Sequence, residues 1–119
     1  MSAAPTVTFY HNPQCSKSRH ALALLRERGV EPQVVHYLKY PPTVAELSLL
    51  LDQLGLSPLD VMRRSEPPFK DLKLGEPGRT REDLLAALAE HPILLERPIA
   101  VCNGRAVIGR PPERVLELL

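Results

Sequence analysis

Ile99-Ala100-Val101-Cys102-Asn103-Gly104-Arg105-Ala106-Val107-Ile108 is the stretch whose reading decides the fold. Two runs of strand-forming residues flank Asn103-Gly104, the residue pair that best tolerates the positive φ angles of a tight hairpin turn, so an antiparallel hairpin is predicted. Downstream, Gly109-Arg110-Pro111-Pro112 leads into a helical pattern carrying Val115, Leu116 and Leu119. At the other end, Thr6-Val7-Thr8-Phe9-Tyr10 reads as a strand that His11-Asn12-Pro13 ends, because Asn-Pro favours a turn. A helix follows from about 16 to 28, with Ala21, Leu22 and Leu25 on one face and Gly29 as its stop. Val34, Val35 and Tyr37 mark a second strand, closed by Pro41-Pro42.

The middle of the chain is helical. Thr43 and Glu46 form a capping box ahead of Leu47, Leu50, Leu51 and Leu54. Ser57-Pro58 opens another helix, with Pro at the first position, where its missing N–H costs nothing. Residues 65–78, rich in Pro, Gly and charge, read as an irregular connection. Thr80 with Asp83 then restarts a helix carrying Leu84, Leu85 and Leu88. The order is β-α-β, a helical insertion at about 43–96, then β-β-α. That is α/β and thioredoxin-like, a mixed four-stranded sheet flanked by helices, within a single domain spanning 1–119.

Bulk properties narrow the function classes. With 119 residues and a hydrophobic content of 44%, the chain suits one globular core. Its net charge of +1, from 15 basic and 14 acidic residues, lacks the electrostatic footprint of a nucleic-acid binder. No apolar run approaches the roughly 20 residues that span a bilayer, and Met1-Ser2-Ala3-Ala4-Pro5 lacks the basic and apolar regions of a secretory signal. Two cysteines, Cys15 and Cys102, make no disulfide framework, so a reducing cytoplasm is the expected compartment. No metal-ligating spacing is present.

Cys15 is the residue that carries chemistry. It falls where a strand has ended and a helix begins, so free helix N–H groups and the positive end of the helix dipole favour its thiolate. The dipole contributes about 0.3–1 kcal/mol and at most about 2, which lowers a pKa by only about 0.2–1.5 units. Further help comes from composition: no Asp or Glu precedes Glu27, while His11, Lys17 and Arg19 lie close by in sequence. Cys15-Ser16-Lys17-Ser18 is Cys-x-x-Ser, so no resolving thiol is adjacent. A Cys-x5-Arg phosphate loop fails because position 21 is Ala21. Cys102, near a strand end, reads as a core residue.

His11-Asn12-Pro13-x-Cys15-x-x-Ser18-Arg19, His91-Pro92-Ile93-Leu94 through Arg97-Pro98-Ile99, and Gly109-Arg110-Pro111-Pro112 come in one order. Together they resemble the glutaredoxin-coupled arsenate reductase family, from about 6 to 118. A branch with a Cys-Ser-Lys-Ser-Arg motif is the nearest likeness. The resemblance implies a thioredoxin-like fold with a helical insertion and a nucleophilic Cys15. It also implies oxyanion-binding Arg63, Arg97 and Arg110, with Arg64 fitting the first of these places as well. His11, Asn12, Ser18 and Arg19 are expected to support the thiolate, and Pro98 to be the cis-proline facing the cysteine. The physics agrees, since fork-shaped guanidinium groups suit a tetrahedral anion.

The activity so implied is that of an oxidoreductase. Cys15 attacks arsenate, glutathione adds as co-substrate, and glutaredoxin resolves the mixed disulfide; no bound cofactor or metal is expected. Two other readings share parts of the pattern. A monothiol glutaredoxin-like module would use Cys-x-x-Ser to bind glutathione or an iron–sulfur cluster. A non-enzymatic redox-responsive regulator would share the fold, although Ser18 removes its usual Cys-x-x-Cys switch.

Overall fold

Four short strands form the sheet in the computed structural model, which describes residues 6–119. They are β1 (Thr8–Tyr10), β2 (Gln33–Val35), β3 (Ile99–Cys102) and β4 (Arg105–Ile108), in the order β2-β1-β3-β4. Strand β1 runs parallel to β2 and antiparallel to β3, with Phe9 opposite Val34 on one side and Ala100 on the other. Strands β3 and β4 are antiparallel, and Asn103 and Gly104 between them take positive φ angles of 52° and 77°. The sheet is therefore mixed, and its parallel pair is joined through α1 (Ser16–Glu27).

The chain divides into two compact units, one running to Tyr37 and resuming over Arg97–Leu119, the other Leu38–Glu96. In the first, Ala21, Leu22 and Leu25 of α1 pack with Val7, Phe9, Ala100, Cys102, Val107 and Val115. Burying one such Leu or Phe side chain stabilises by about 1.5–3 kcal/mol. Helix α1 also lies against a 3-10 helix, Pro112–Leu118, which closes the chain. This mixed sheet with its flanking helices is the thioredoxin-like arrangement.

The second unit holds α2 (Val44–Leu54), α3 (Pro67–Asp71) and α4 (Arg81–Glu90). Both capping boxes form: Thr43 accepts from the Glu46 amide and Thr80 from the Asp83 amide, each at 3.1 Å. Leu47, Leu50 and Leu51 of α2 are buried, as are Leu84, Leu85 and Leu88 of α4, and the two helices pack together.

Four local expectations change. Residues 65–78 contain α3, because Pro67 and Pro68 sit in a first turn whose N–H groups need no partner. Ser57-Pro58 opens only a 3-10 helix, Pro58–Val61. The C-terminal segment is 3-10 rather than α, following directly on Pro111 and Pro112. Tyr37 lies past the end of β2 yet is 1% exposed, so its burial arises outside the strand ladder.

Candidate active site

The site grows from the five residues between β1 and α1. The His11 amide still bonds the Val35 carbonyl at 2.9 Å, continuing the ladder one residue past β1. Asn12 then turns the chain: its carbonyl accepts from the Cys15 amide and its Oδ1 accepts from the Gln14 amide, both at 3.0 Å. Cys15 is the N-cap of α1, with extended backbone angles (φ −97°, ψ 122°). At a cap the side chain faces the open amides of the second and third helical residues. Here those residues are Lys17 and Ser18; the Cys15 side chain makes no cap hydrogen bond, but both amides lie close enough to hold its pKa down. The thiol occupies the place that a Ser or Asp oxygen takes in an ordinary cap.

Partial burial pushes the Cys15 thiol up, and it is outweighed. The Ser18 amide, the Arg97 charge, the Lys17 amide and a side-chain hydrogen bond from Arg97 together hold the pKa below its ordinary value. Thiolate is the nucleophilic form, so the site is poised for attack on an electrophile. The first turn of α1 contains no acidic residue to oppose this.

Arg97 reaches the sulfur from the segment preceding β3. Its peptide bond to Pro98 is cis, and so is the bond from Arg110 to Pro111. The two segments are joined: the Gly109 amide donates to the Pro98 carbonyl at 2.8 Å, and Arg110 Nη1 donates to the Arg97 carbonyl at 3.3 Å. Gly109 permits the approach, since a Cβ there would lie 2.8 Å from Pro98 Cγ. Arg110 thus organises the backbone that carries Arg97.

Ser18 has a different role from its place in the Cys-x-x-Ser motif. Its side chain is 0% exposed, with Oγ 2.7 Å from His11 Nδ1 and accepting from the Asn12 amide at 3.1 Å. Only its backbone N–H addresses the sulfur, and any non-proline residue would provide that. His11 is 6% exposed. Burial, then the charges of His36, Arg26 and Arg19, lower its pKa, which favours the neutral ring that bonds the Ser18 hydroxyl. Arg19 Nη1 donates to the Pro13 carbonyl at 2.8 Å.

Arg63 belongs to the other unit, where two carboxylates engage it: Glu66 at 2.6 Å and Glu96 at 3.8 Å. Arg64 stacks over the Phe69 ring at 5.6 Å. Cys102 is 4% exposed within the core cluster. Among the described residues, no group of His, Cys, Asp and Glu side chains could hold a metal ion, and no helix is long and apolar enough to cross a membrane. Sequence reasoning passed over the Lys17 amide and the Gly109–Pro98 bond. The first could have been found by counting two residues on from the cap; the second has no sequence signal beyond the glycine.

A family model described as ArsC family matches residues 10–118. An Escherichia coli protein named YfgD, described as uncharacterized, is 51% identical over 114 residues, 95% of this chain and 96% of that protein. An arsenate reductase of Neisseria meningitidis serogroup B is 47% identical over 116 residues, 97% of this chain and 99% of that protein. The solved structure of an arsenate reductase from Vibrio cholerae matches with a TM-score of 0.95 at 53% identity, covering 98% of this chain and 100% of that one.

Proposed function

The chain belongs to the ArsC family, and from that premise we propose that it is an arsenate reductase whose nucleophile is Cys15. The observation that carries the reading is Cys15 at the N-cap of α1, where the Ser18 and Lys17 amides and the Arg97 guanidinium hold its thiol pKa down. Arg97 and Arg110 bind the oxyanion; Arg63 enters as a third ligand on its sequence motif alone. The Leu38–Glu96 unit is read as a helical insertion into one thioredoxin-like domain.

In the first step Cys15 Sγ forms a bond to pentavalent arsenic while one As–O bond breaks. The departing oxygen leaves as water after taking a proton. Glutathione then forms a second As–S bond as its S–H bond breaks and the proton passes to an arsenic-bound oxygen. Both As–S bonds break as Cys15 and glutathione join in a disulfide; one electron pair stays on arsenic, which departs as trivalent arsenite. A glutaredoxin thiol finally takes the glutathione and frees Cys15. The external thiols are required because Ser18 stands where a resolving cysteine would be and Cys102 is buried in the core. A reducing cytoplasm supplies both.

The test is arsenite formation from arsenate with glutathione and glutaredoxin. The wild type turns over, Cys15→Ser does not, and Cys102→Ser retains activity. Absence of wild-type turnover, with both coupling partners active on a control substrate, would sink the proposal.

A further inference from the structure

Arg19 is bonded twice to the turn that carries the nucleophile. Its backbone amide donates to the Cys15 carbonyl at 3.0 Å, the first bond of α1, and its Nη1 donates to the Pro13 carbonyl at 2.8 Å. These two carbonyls bracket Gln14 and the Cys15 amide. The remaining groups of the turn are held from the other side, where the buried Ser18 hydroxyl takes the Asn12 amide. The turn is thus gripped by consecutive residues of one helical turn, Ser18 from within and Arg19 from the exposed surface.

We propose that Arg19 is a positioning residue, a clamp on the Pro13 carbonyl that keeps the Cys15 sulfur aligned with the first amides of α1. This rests on Cys15 being the nucleophile, and it assigns Arg19 a role through the backbone rather than through its charge. The pKa of Cys15 is held down by Ser18, Lys17 and Arg97, whereas the Arg19 charge lowers the pKa of His11. A guanidinium suits the task because it places a rigid fork of donors at the end of a long stem. Without it the Pro13 carbonyl turns to water, and the peptide planes on either side of Gln14 are held only by their amide bonds to Asn12.

The experiment uses the reduced full chain with Cys102→Ser, so that absorbance at 240 nm reports Cys15 alone, and compares Arg19 with Arg19→Met and Arg19→Lys. Thiolate absorbance is titrated at low and at about 1 M salt, where exposed charges are screened. Amide hydrogen exchange at Gln14 and Cys15 is followed in parallel. For Arg19→Met the proposal expects the thiolate fraction near pH 7 to fall about threefold, the loss of roughly one hydrogen bond. That fall persists at high salt. The two turn amides exchange at least about threefold faster, while Leu22 and Leu25 keep their protection. If Arg19→Lys restores the titration and the effect of Arg19→Met disappears in salt, Arg19 acts by charge and the clamp is wrong. An unchanged titration and unchanged exchange in folded Arg19→Met also overturn it. None of these readouts needs arsenate, so a failed clamp and a failed reductase assignment are told apart.

Discussion

Replacing Ser18 with alanine separates what holds the turn from what activates the thiol. The Ser18 hydroxyl is inaccessible to solvent and has two partners, His11 Nδ1 at 2.7 Å and the Asn12 amide at 3.1 Å. Ser18→Ala leaves both without that partner, the imidazole nitrogen in a residue only 6% exposed. Leaving a buried polar group unsatisfied costs about 1–3 kcal/mol; with Asn12 only half-buried, the pair comes to about 2–3 kcal/mol. For 119 residues the unfolding entropy is about 0.25 kcal/mol/K, so the melting temperature falls by about 8–12 °C. The Ser18 backbone N–H that addresses the sulfur is untouched. The thiolate fraction at pH 7 should therefore stay within about twofold of wild type. Circular-dichroism melting and a titration at 240 nm read the two quantities on one sample. A melting temperature within about 2 °C of wild type would refute the buried network as a structural element. A full melting shift accompanied by loss of the thiolate would show that the hydroxyl itself acts on the sulfur.

Three other outcomes follow from the same geometry. Arg97→Gln removes a charge and a donor from the sulfur, so the Cys15 pKa rises and the pH at which iodoacetamide alkylation reaches half its maximal rate moves up with it. His11 has a folded-state pKa below its ordinary value of 6.5, so the unfolded chain binds the extra proton more readily. Stability is accordingly complete above pH 6.5 and falls as pH drops through the window below it; urea titrations across that window should show a flatter pH slope for His11→Gln. Thr43→Ala removes the acceptor of the Glu46 amide and should cost about 1 kcal/mol in urea unfolding with turnover unchanged.

The elements that could be read from the chain are those whose signals are local. Asn103-Gly104 demands a tight turn whatever surrounds it, and Thr43/Glu46 and Thr80/Asp83 satisfy helix amides within four residues. Cys15 was legible for the same reason, since a turn followed by a helix places it at free amides. What escaped depends on residues far apart in sequence. The Arg97 segment is tied to the Arg110 segment through Gly109 and Pro98, a contact across more than ten residues that no periodicity encodes. His11 reads as a cationic neighbour of the thiol until burial and three positive groups are seen to favour its neutral form. Arg63 reads as an anion ligand from its motif, and its ion pairs with Glu66 and Glu96 have no signal in the motif itself. Residues 65–78 look irregular because Pro67 and Pro68 resemble breakers, whereas at the start of a helix they are tolerated.

The central claim is that Cys15 alone attacks arsenic and then carries the glutathione. Peptide mass spectrometry of protein incubated with arsenate and glutathione, with glutaredoxin withheld, tests it directly. The account predicts one glutathione per chain, on the peptide containing Cys15, formed only when arsenate and glutathione are both present. Glutathione on Cys102, a Cys15–Cys102 disulfide, or a Cys15 adduct formed equally well without arsenate would contradict it.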